Sequence, residues 1–167
     1  MIAYCDATPA DAEALSAAAQ QSFSETFGHL YAPTDLGQFL DQSLSPAAYR
    51  AELSDIRYRV RLALDGGRVV GFAKLGPPHL PVSPPAGELW QLYVLRDWQG
   101  RGVAPALMDW AMQRLRADGH RAMHLSVYVD NHRAKRFYAR YGAEDVGRLD
   151  FPVGDQIDED RILRIPL

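Results

Sequence analysis

The chain has 167 residues, of which 47% are hydrophobic, 10% aromatic and 23% charged, and its formal net charge is −3. That mix is ordinary for a soluble globular domain and excludes disordered and fibrous classes; a chain of this size buries roughly two-thirds of its unfolded surface without staples. The weak charge gives no pull toward nucleic acid or anionic lipid, the lone Cys5 excludes an internal disulfide, and no run approaches the about 18 apolar residues of a membrane span.

The opening, Met1-Ile2-Ala3-Tyr4-Cys5-Asp6, lacks the basic-then-apolar order of a signal peptide. With one cysteine, it points to a reducing, cytoplasmic setting. Ile2 to Asp6 reads as a short strand that places Cys5 in the core rather than in a nucleophile's position. Thr8-Pro9-Ala10-Asp11 combines an N-cap, a first-turn proline and a first-turn acid, and Leu15, Ala18, Ala19, Ser22, Phe23 and Thr26 continue at helical spacing. Thr34 to Leu40 predicts a short helix with Leu36, Phe39 and Leu40 on its apolar face. Ser45-Pro46 opens another that ends near Leu53.

Tyr58 to Leu64 and Arg68 to Leu75 alternate as strands around the turn Asp65-Gly66-Gly67, which predicts a hairpin. Gly76 to Gly87 carries Pro77, Pro78, Pro81, Pro84 and Pro85 and reads as a loop, by default a rigid connector and otherwise a lid over an acceptor. Glu88 to Leu95 is a buried strand, Trp98 to Gly102 a turn, and Val103 to Ala117 a helix stopped by Gly119. A strand over Ala122 to Val129, a short helix over Asn131 to Tyr141 and two strands near Ala143 to Leu149 and Arg161 to Pro166 complete the chain. No half of this α/β order works alone, so residues 1–167 read as one domain.

The most informative segment is Gln99-Gly100-Arg101-Gly102-Val103-Ala104, between a strand and a helix. Glycines let backbone approach a ligand closely, and free amides at a helix N-terminus favour a phosphate. Pro105 gives up an amide that has no helical partner. A capped glycine turn without a ligand is the plain alternative. The segment is neither a P-loop, lacking Gly-Lys-Ser/Thr, nor a dinucleotide fingerprint, lacking the third glycine. The histidines, His29, His79, His120, His124 and His132, are scattered; His120 and His124 straddle a helix-to-strand junction, so no metal site is expected. Arg133, Lys135, Arg136 and Arg140 form a basic run that is a solvated face or a phosphate contact. Asp155, Asp158, Glu159 and Asp160 read as a solvated acidic loop or as an attractor for a polycation.

The segment resembles the acetyl-CoA signature Arg/Gln-x-x-Gly-x-Gly/Ala of the Gcn5-related N-acetyltransferases, at Gln99, Gly102 and Ala104. The likeness continues downstream, where Asn131, Ala134, Phe137-Tyr138 and Gly142 match the family's Asn-x-x-Ala-x-x-Phe-Tyr-x-x-x-Gly, with Ala143 in place of its final Phe. Leu92-Tyr93-Val94 is similar to the family's bulged strand, and the resemblance spans about Arg68 to Gly142. Ser22 to Phe27, Asp35 to Leu44, Ala51 to Leu53 and Asp150 to Asp155 are similar, more loosely, to PaiA-type polyamine acetyltransferases.

The resemblance implies a mostly antiparallel twisted sheet of about seven strands flanked by helices, with a splayed strand pair holding acetyl-CoA. It implies that Leu92, Tyr93 and Val94 pair with the pantetheine arm, that Gly100 and the amides of Arg101, Gly102, Val103 and Ala104 hold the pyrophosphate, and that Asn131 and Arg133 contact the CoA arm and its phosphate. Tyr138 stands near the sulfur as proton donor. Glu88 takes the place of the base that deprotonates the amine; strand alternation puts Glu88, Trp90 and Leu92 on one face, where the carboxylate is partly desolvated. Otherwise Glu88 is a solvated residue at the end of the proline loop. The implied activity is direct acetyl transfer to a small primary amine, a polyamine first. Protein or peptide acetylation and a non-catalytic CoA-binding module are the alternatives. Members of this superfamily are frequently dimers, so a homodimer is expected, with no metal, nucleic acid or membrane partner.

Overall fold

The computed structural model describes residues 1–167. Seven strands form one sheet in the order β1-β2-β3-β4-β5-β7-β6: β1 is Ile2–Asp6, β2 Arg59–Asp65, β3 Arg68–Gly76, β4 Gly87–Val94, β5 Ala122–Tyr128, β6 Glu144–Val153 and β7 Gln156–Pro166. Every neighbouring pair is antiparallel except β4 and β5. Those two pair only at Gly87↔Met123 and Glu88↔His124, then diverge. The expected sheet with one splayed pair is what forms.

Five helices flank the sheet: α1 Ala12–Phe27, α2 Pro33–Ser43, α3 Pro46–Leu53, α4 Val103–Ala117 and α5 His132–Ala139. Helices α4 and α5 cover one face through Leu107, Met108, Ala111 and Tyr138, which join Ala73, Leu89, Leu125 and Ile165 in one core. Helices α1 and α3 cover the other through Leu15, Phe23 and Tyr49, packed on Leu62, Phe72 and Val153. β3 is buried along nearly its whole length because both faces are covered, and it reads as the unbroken run Val69-Val70-Gly71-Phe72-Ala73. No helix is long and apolar enough to cross a membrane.

The sequence expectations need four corrections. Pro9–Asp11 forms a separate helical turn, with Thr8 and Asp11 in a reciprocal capping box, before α1 begins. Cys5 is exposed on edge strand β1, not in the core. Most of the acidic run is strand, not loop: Asp155 sits in the turn, but Asp158, Glu159 and Asp160 lie on β7, since β6 and β7 are longer than expected and pair as far as Val153↔Gln156. Charge across the ladder adds to the backbone pairing: Arg161 of β7 reaches Asp145 of β6 at 2.9 Å, while its own strand neighbour Glu159 lies 3.1 Å away.

The fourth correction concerns β4. Lys74 pairs with Gln91, but its neighbour Leu75 pairs with Leu89, so Trp90 is an extra residue. The bulge breaks the alternation. Leu92 faces with Ala73 toward α4, whereas Glu88 pairs with Gly76 and so turns to the opposite side. The Trp90 indole lies over Gly76, where an added Cβ would stand 2.6 Å from the indole nitrogen, and that nitrogen donates to the Pro77 carbonyl at 3.0 Å. Lys74, buried beneath it, sits 2.7 Å from Glu52 and 5.2–5.8 Å from the ring centres of Tyr49, Tyr58 and Trp90. Burial lowers the Lys74 pKa, and the nearby Glu52 carboxylate opposes that shift.

Candidate functional site

Where β4 and β5 part, a cavity of about 860 Å³ opens between them. Its walls come from both faces of the sheet, with Leu92, Leu125, Ala134 and Tyr138 from the α4–α5 side and Phe23, Tyr31, Tyr93 and Phe151 from the α1 side. The cleft therefore runs between the strands, with one end, or mouth, lined from each face of the sheet.

The mouth on the α4–α5 face is built from backbone. Gly100 and Gly102 have φ of +74° and +82°, and a Cβ on either would meet nothing within 4 Å, so these glycines serve conformation and open space together. Gly102 caps α4 without a side-chain partner, which leaves the first-turn amides directed outward, and Pro105 is a residue of that turn that needs no acceptor. On the β5 side, the edge of β4 beyond Glu88 has no strand partner. Together these make a site for an extended polar arm ending in an anion.

The residues expected from sequence fall in several places. Leu92, Tyr93, Val94, Gln99, Gly100, Gly102, Ala104, Asn131, Arg133 and Tyr138 all line the cleft. Val103 points its side chain into the core against Gly71, and Arg101 is exposed at the rim, so only their amides border the turn. The Gln99 amide donates to the Val94 carbonyl at 2.9 Å, bracing the end of β4 on the turn, and its oxygen accepts from Arg133. Asn131 caps α5 by accepting from the Ala134 amide at 3.2 Å. Lys135 folds back onto the Val129 carbonyl, while Arg136 and Arg140 reach the cleft.

Glu88 is not among the lining residues. It is 2% exposed, one carboxylate oxygen accepts from the amides of His79 and Leu80 at 2.8 and 2.9 Å, and the other lies 2.6 Å from His79 Nδ1. The bulge at Trp90 has turned it from the cleft to the proline loop. Its contacts pin that loop, and they hold the carboxylate outside the lining of the cleft.

The other mouth is built from side chains. Tyr31 follows α1 and donates its hydroxyl to Asp158, which also accepts from the Gln156 amide at 2.8 Å. Asp160, one pleat along β7, pairs in register with Tyr128, so Asp158 and Asp160 share the cleft face of the strand. Burial, then the neighbouring Asp158 charge, pushes the Asp160 carboxyl up to about 6, against a hydrogen bond from Ser126 that favours ionisation. Phe23, Phe27 and Phe151 supply apolar walls. Glu25, at the rim, accepts from the Arg96 amide at 2.9 Å and ties α1 to the end of β4.

Two phenols connect the mouths. Burial raises the Tyr138 pKa well above the usual tyrosine range, helped by the nearby Tyr93 and Tyr141, so its hydroxyl stays protonated. Burial also raises that of Tyr93, opposed by a hydrogen bond with Gln91 and reinforced by the charge of Asp160. Sequence reasoning placed Tyr138 and missed Tyr31 and the strand register that turns Asp160 into the cleft. The period-two pattern Asp158, Asp160, Ile162 was the available signal.

Comparison with known proteins agrees with this geometry. Residues 15–143 match the acetyltransferase (GNAT) family. The chain is 32% identical over 153 residues to an uncharacterized N-acetyltransferase of Mycobacterium tuberculosis, covering 92% of this chain and 96% of that one. It is 30% identical over 90 residues to a probable spermine N(1)-acetyltransferase of Bacillus subtilis subsp. natto, covering 51% of this chain and 59% of that one. Its fold is similar to the PaiA N-acetyltransferase of Thermoplasma acidophilum, solved in complex with coenzyme A, with a TM-score of 0.81, 18% identity, and 100% and 99% of the two chains covered. The chain belongs to the GNAT acetyltransferase family and is an N-acetyltransferase.

Proposed function

Starting from that membership, we propose that the protein moves the acetyl group of acetyl-CoA directly to a primary amine of a small molecule, with polyamines as the leading acceptor class. The observation that carries this reading is the two-mouthed slot. One mouth offers amides and arginines to an anionic, extended donor, and the other offers carboxylates and aromatic faces to a cation. The resemblance to a probable spermine acetyltransferase and to a PaiA fold supports the acceptor class.

The residues fit the donor. The free edge at Leu92, Tyr93 and Val94 is suited to pair with a pantetheine arm, and the amides from Arg101 to Ala104 are suited to a pyrophosphate. Asn131, Arg133, Arg136 and Arg140 border the same mouth. An amide of the β4 edge is placed to donate to the oxyanion that develops on the acetyl carbonyl. Tyr138, un-ionised and facing the cleft, donates to the departing sulfur. Cys5 stands on β1 outside the cleft, so transfer goes straight to the amine within a ternary complex.

The test is thiol release from acetyl-CoA across spermidine, spermine, diamines, aminoglycosides, amino acids and a short peptide. Saturable turnover on polyamines is the expected result. Tyr138→Phe should lower kcat by about 10²-fold while acetyl-CoA binding, read by calorimetry, stays within about twofold. Turnover confined to peptide replaces the acceptor class. Binding of acetyl-CoA with no turnover on any amine overturns the enzymatic reading in favour of a CoA-binding module.

A further inference from the structure

An alkylammonium has no lone pair, so the acceptor must lose a proton inside the cleft, and with Glu88 turned away some other group has to take it. The cleft lining contains Glu25, Asp158 and Asp160 as its carboxylates. Glu25 is bound to the Arg96 amide and to Gln21 at the rim. Asp158 is held by the Tyr31 hydroxyl and the Gln156 amide. Asp160 is 7% exposed, faces the cavity, and has no cation beside it.

We infer that Asp160 is the general base that deprotonates the acceptor amine, and that Asp158, braced by Tyr31, is the carboxylate that anchors it. This inference rests on the acetyl-transfer reading above. The placement follows from the strands. Asp160 lies opposite Tyr128 on the face of β7 that looks into the slot, and its charge bears on Tyr93, whose phenol in turn neighbours Tyr138. Asp160, Tyr93 and Tyr138 thus line one cavity. Asp158 is one pleat farther toward the outer mouth, where a second positive charge of the acceptor would lie.

The proton count closes. Asp160 removes one proton from the ammonium and later releases it to solvent. The neutral nitrogen forms its bond to the acetyl carbon as the carbon–sulfur bond breaks, and the second nitrogen proton offsets the one that Tyr138 gives to the thiolate. Ammonium and acetyl-CoA become amide, CoA thiol and one proton.

The groups that face Asp160 are Tyr93 of β4, Ser126 and Tyr128 of β5, Asp158 of β7, and Tyr31 of the segment after α1. None is a cation. Burial and the Asp158 charge hold its carboxyl at about 6, close to the working pH as a general base requires. A base acts when ionised, so kcat/KM on an alkylamine should rise with pH through about 6.

The experiment uses Asp160→Asn and Asp160→Glu with two acceptors: an alkylamine that wild type acetylates, and an alkoxyamine already neutral at pH 7. Asp160→Asn should lose about 10²–10⁴-fold in kcat/KM on the alkylamine but less than about tenfold on the alkoxyamine, and should lack the limb near pH 6. Asp160→Glu should recover part of the rate. Removing a buried carboxylate should also raise Tm by about 2–4 °C at neutral pH, which separates lost chemistry from lost fold. Equal losses on both acceptors, or a limb near pH 6 that survives Asp160→Asn, overturns the assignment. If wild type acetylates no amine, the acetyl-transfer reading fails first and this inference falls with it. Turnover in wild type with an unimpaired Asp160→Asn sinks this inference alone.

Discussion

The two mouths of the slot are made of different material. The proposed donor mouth rests mainly on backbone, with positive-φ glycines, uncapped helix amides and the unpaired edge of a strand from β4, the turn and α4, and it is bordered by Asn131 and the arginines of α5. The proposed acceptor mouth is side chain: Phe151 from β6 and Asp158 and Asp160 from β7, joined by Tyr31 after α1, which is more than a hundred positions away and meets them only in the folded sheet. A donor site of this kind tolerates wide sequence change as long as the turn geometry survives. A site of the second kind is open to change by single substitutions.

That contrast can be broken by experiment, beginning with the donor mouth. Gly102→Val places a branched side chain at φ +82°, which costs about 1–2 kcal/mol of backbone strain and tilts the amides of the turn. Acetyl-CoA affinity should weaken by about tenfold or more, and a competing amine titration should show the acceptor site intact. An equal loss of both affinities means the mouths are one cooperative unit. Next is Tyr31→Phe, which strips Asp158 of its hydroxyl donor. A buried acceptor without a partner costs about 1–3 kcal/mol, so KM for the amine should rise by about tenfold while the Kd for acetyl-CoA stays fixed. A shift in the acetyl-CoA Kd would show that the two mouths are coupled. The smallest effect on turnover belongs to Glu88→Gln. Its carboxylate holds the His79 and Leu80 amides, so Tm should fall by about 4 °C while kcat changes by less than about threefold. A hundredfold fall in kcat with an intact Tm would return Glu88 to the chemistry.

How much of this was legible in the sequence follows the same division. The turn at Gln99 to Ala104, Tyr138 and the strand-turn-helix order around them are local patterns, and local patterns carry their own spacing. Leu92, Tyr93 and Val94 were found for that reason. Glu88 was set on the cleft face because the expected bulge was put at Leu92 to Val94, whereas the extra residue is Trp90, which reverses the pleat between Glu88 and Leu92 and whose anchor is an indole packed on Gly76. β7 was cut short because Asp158, Glu159 and Asp160 have low strand propensity. Their strand is imposed by pairing with β6, a cause that lies outside the run itself. Cys5 was placed in the core because a short opening strand carries no sign of being an edge.

The two-ended cleft has a kinetic consequence. On the proposed reading, two reactants that enter from opposite faces do not queue behind one another, so loading order carries no steric obligation and the acetylated product is free to leave while the spent thiol is in place. A single inhibitor that joins a CoA-like arm to a polyamine would have to thread the sheet between β4 and β5. Such a molecule would be slow to enter and slower to escape, its residence time set by how often the two strands part.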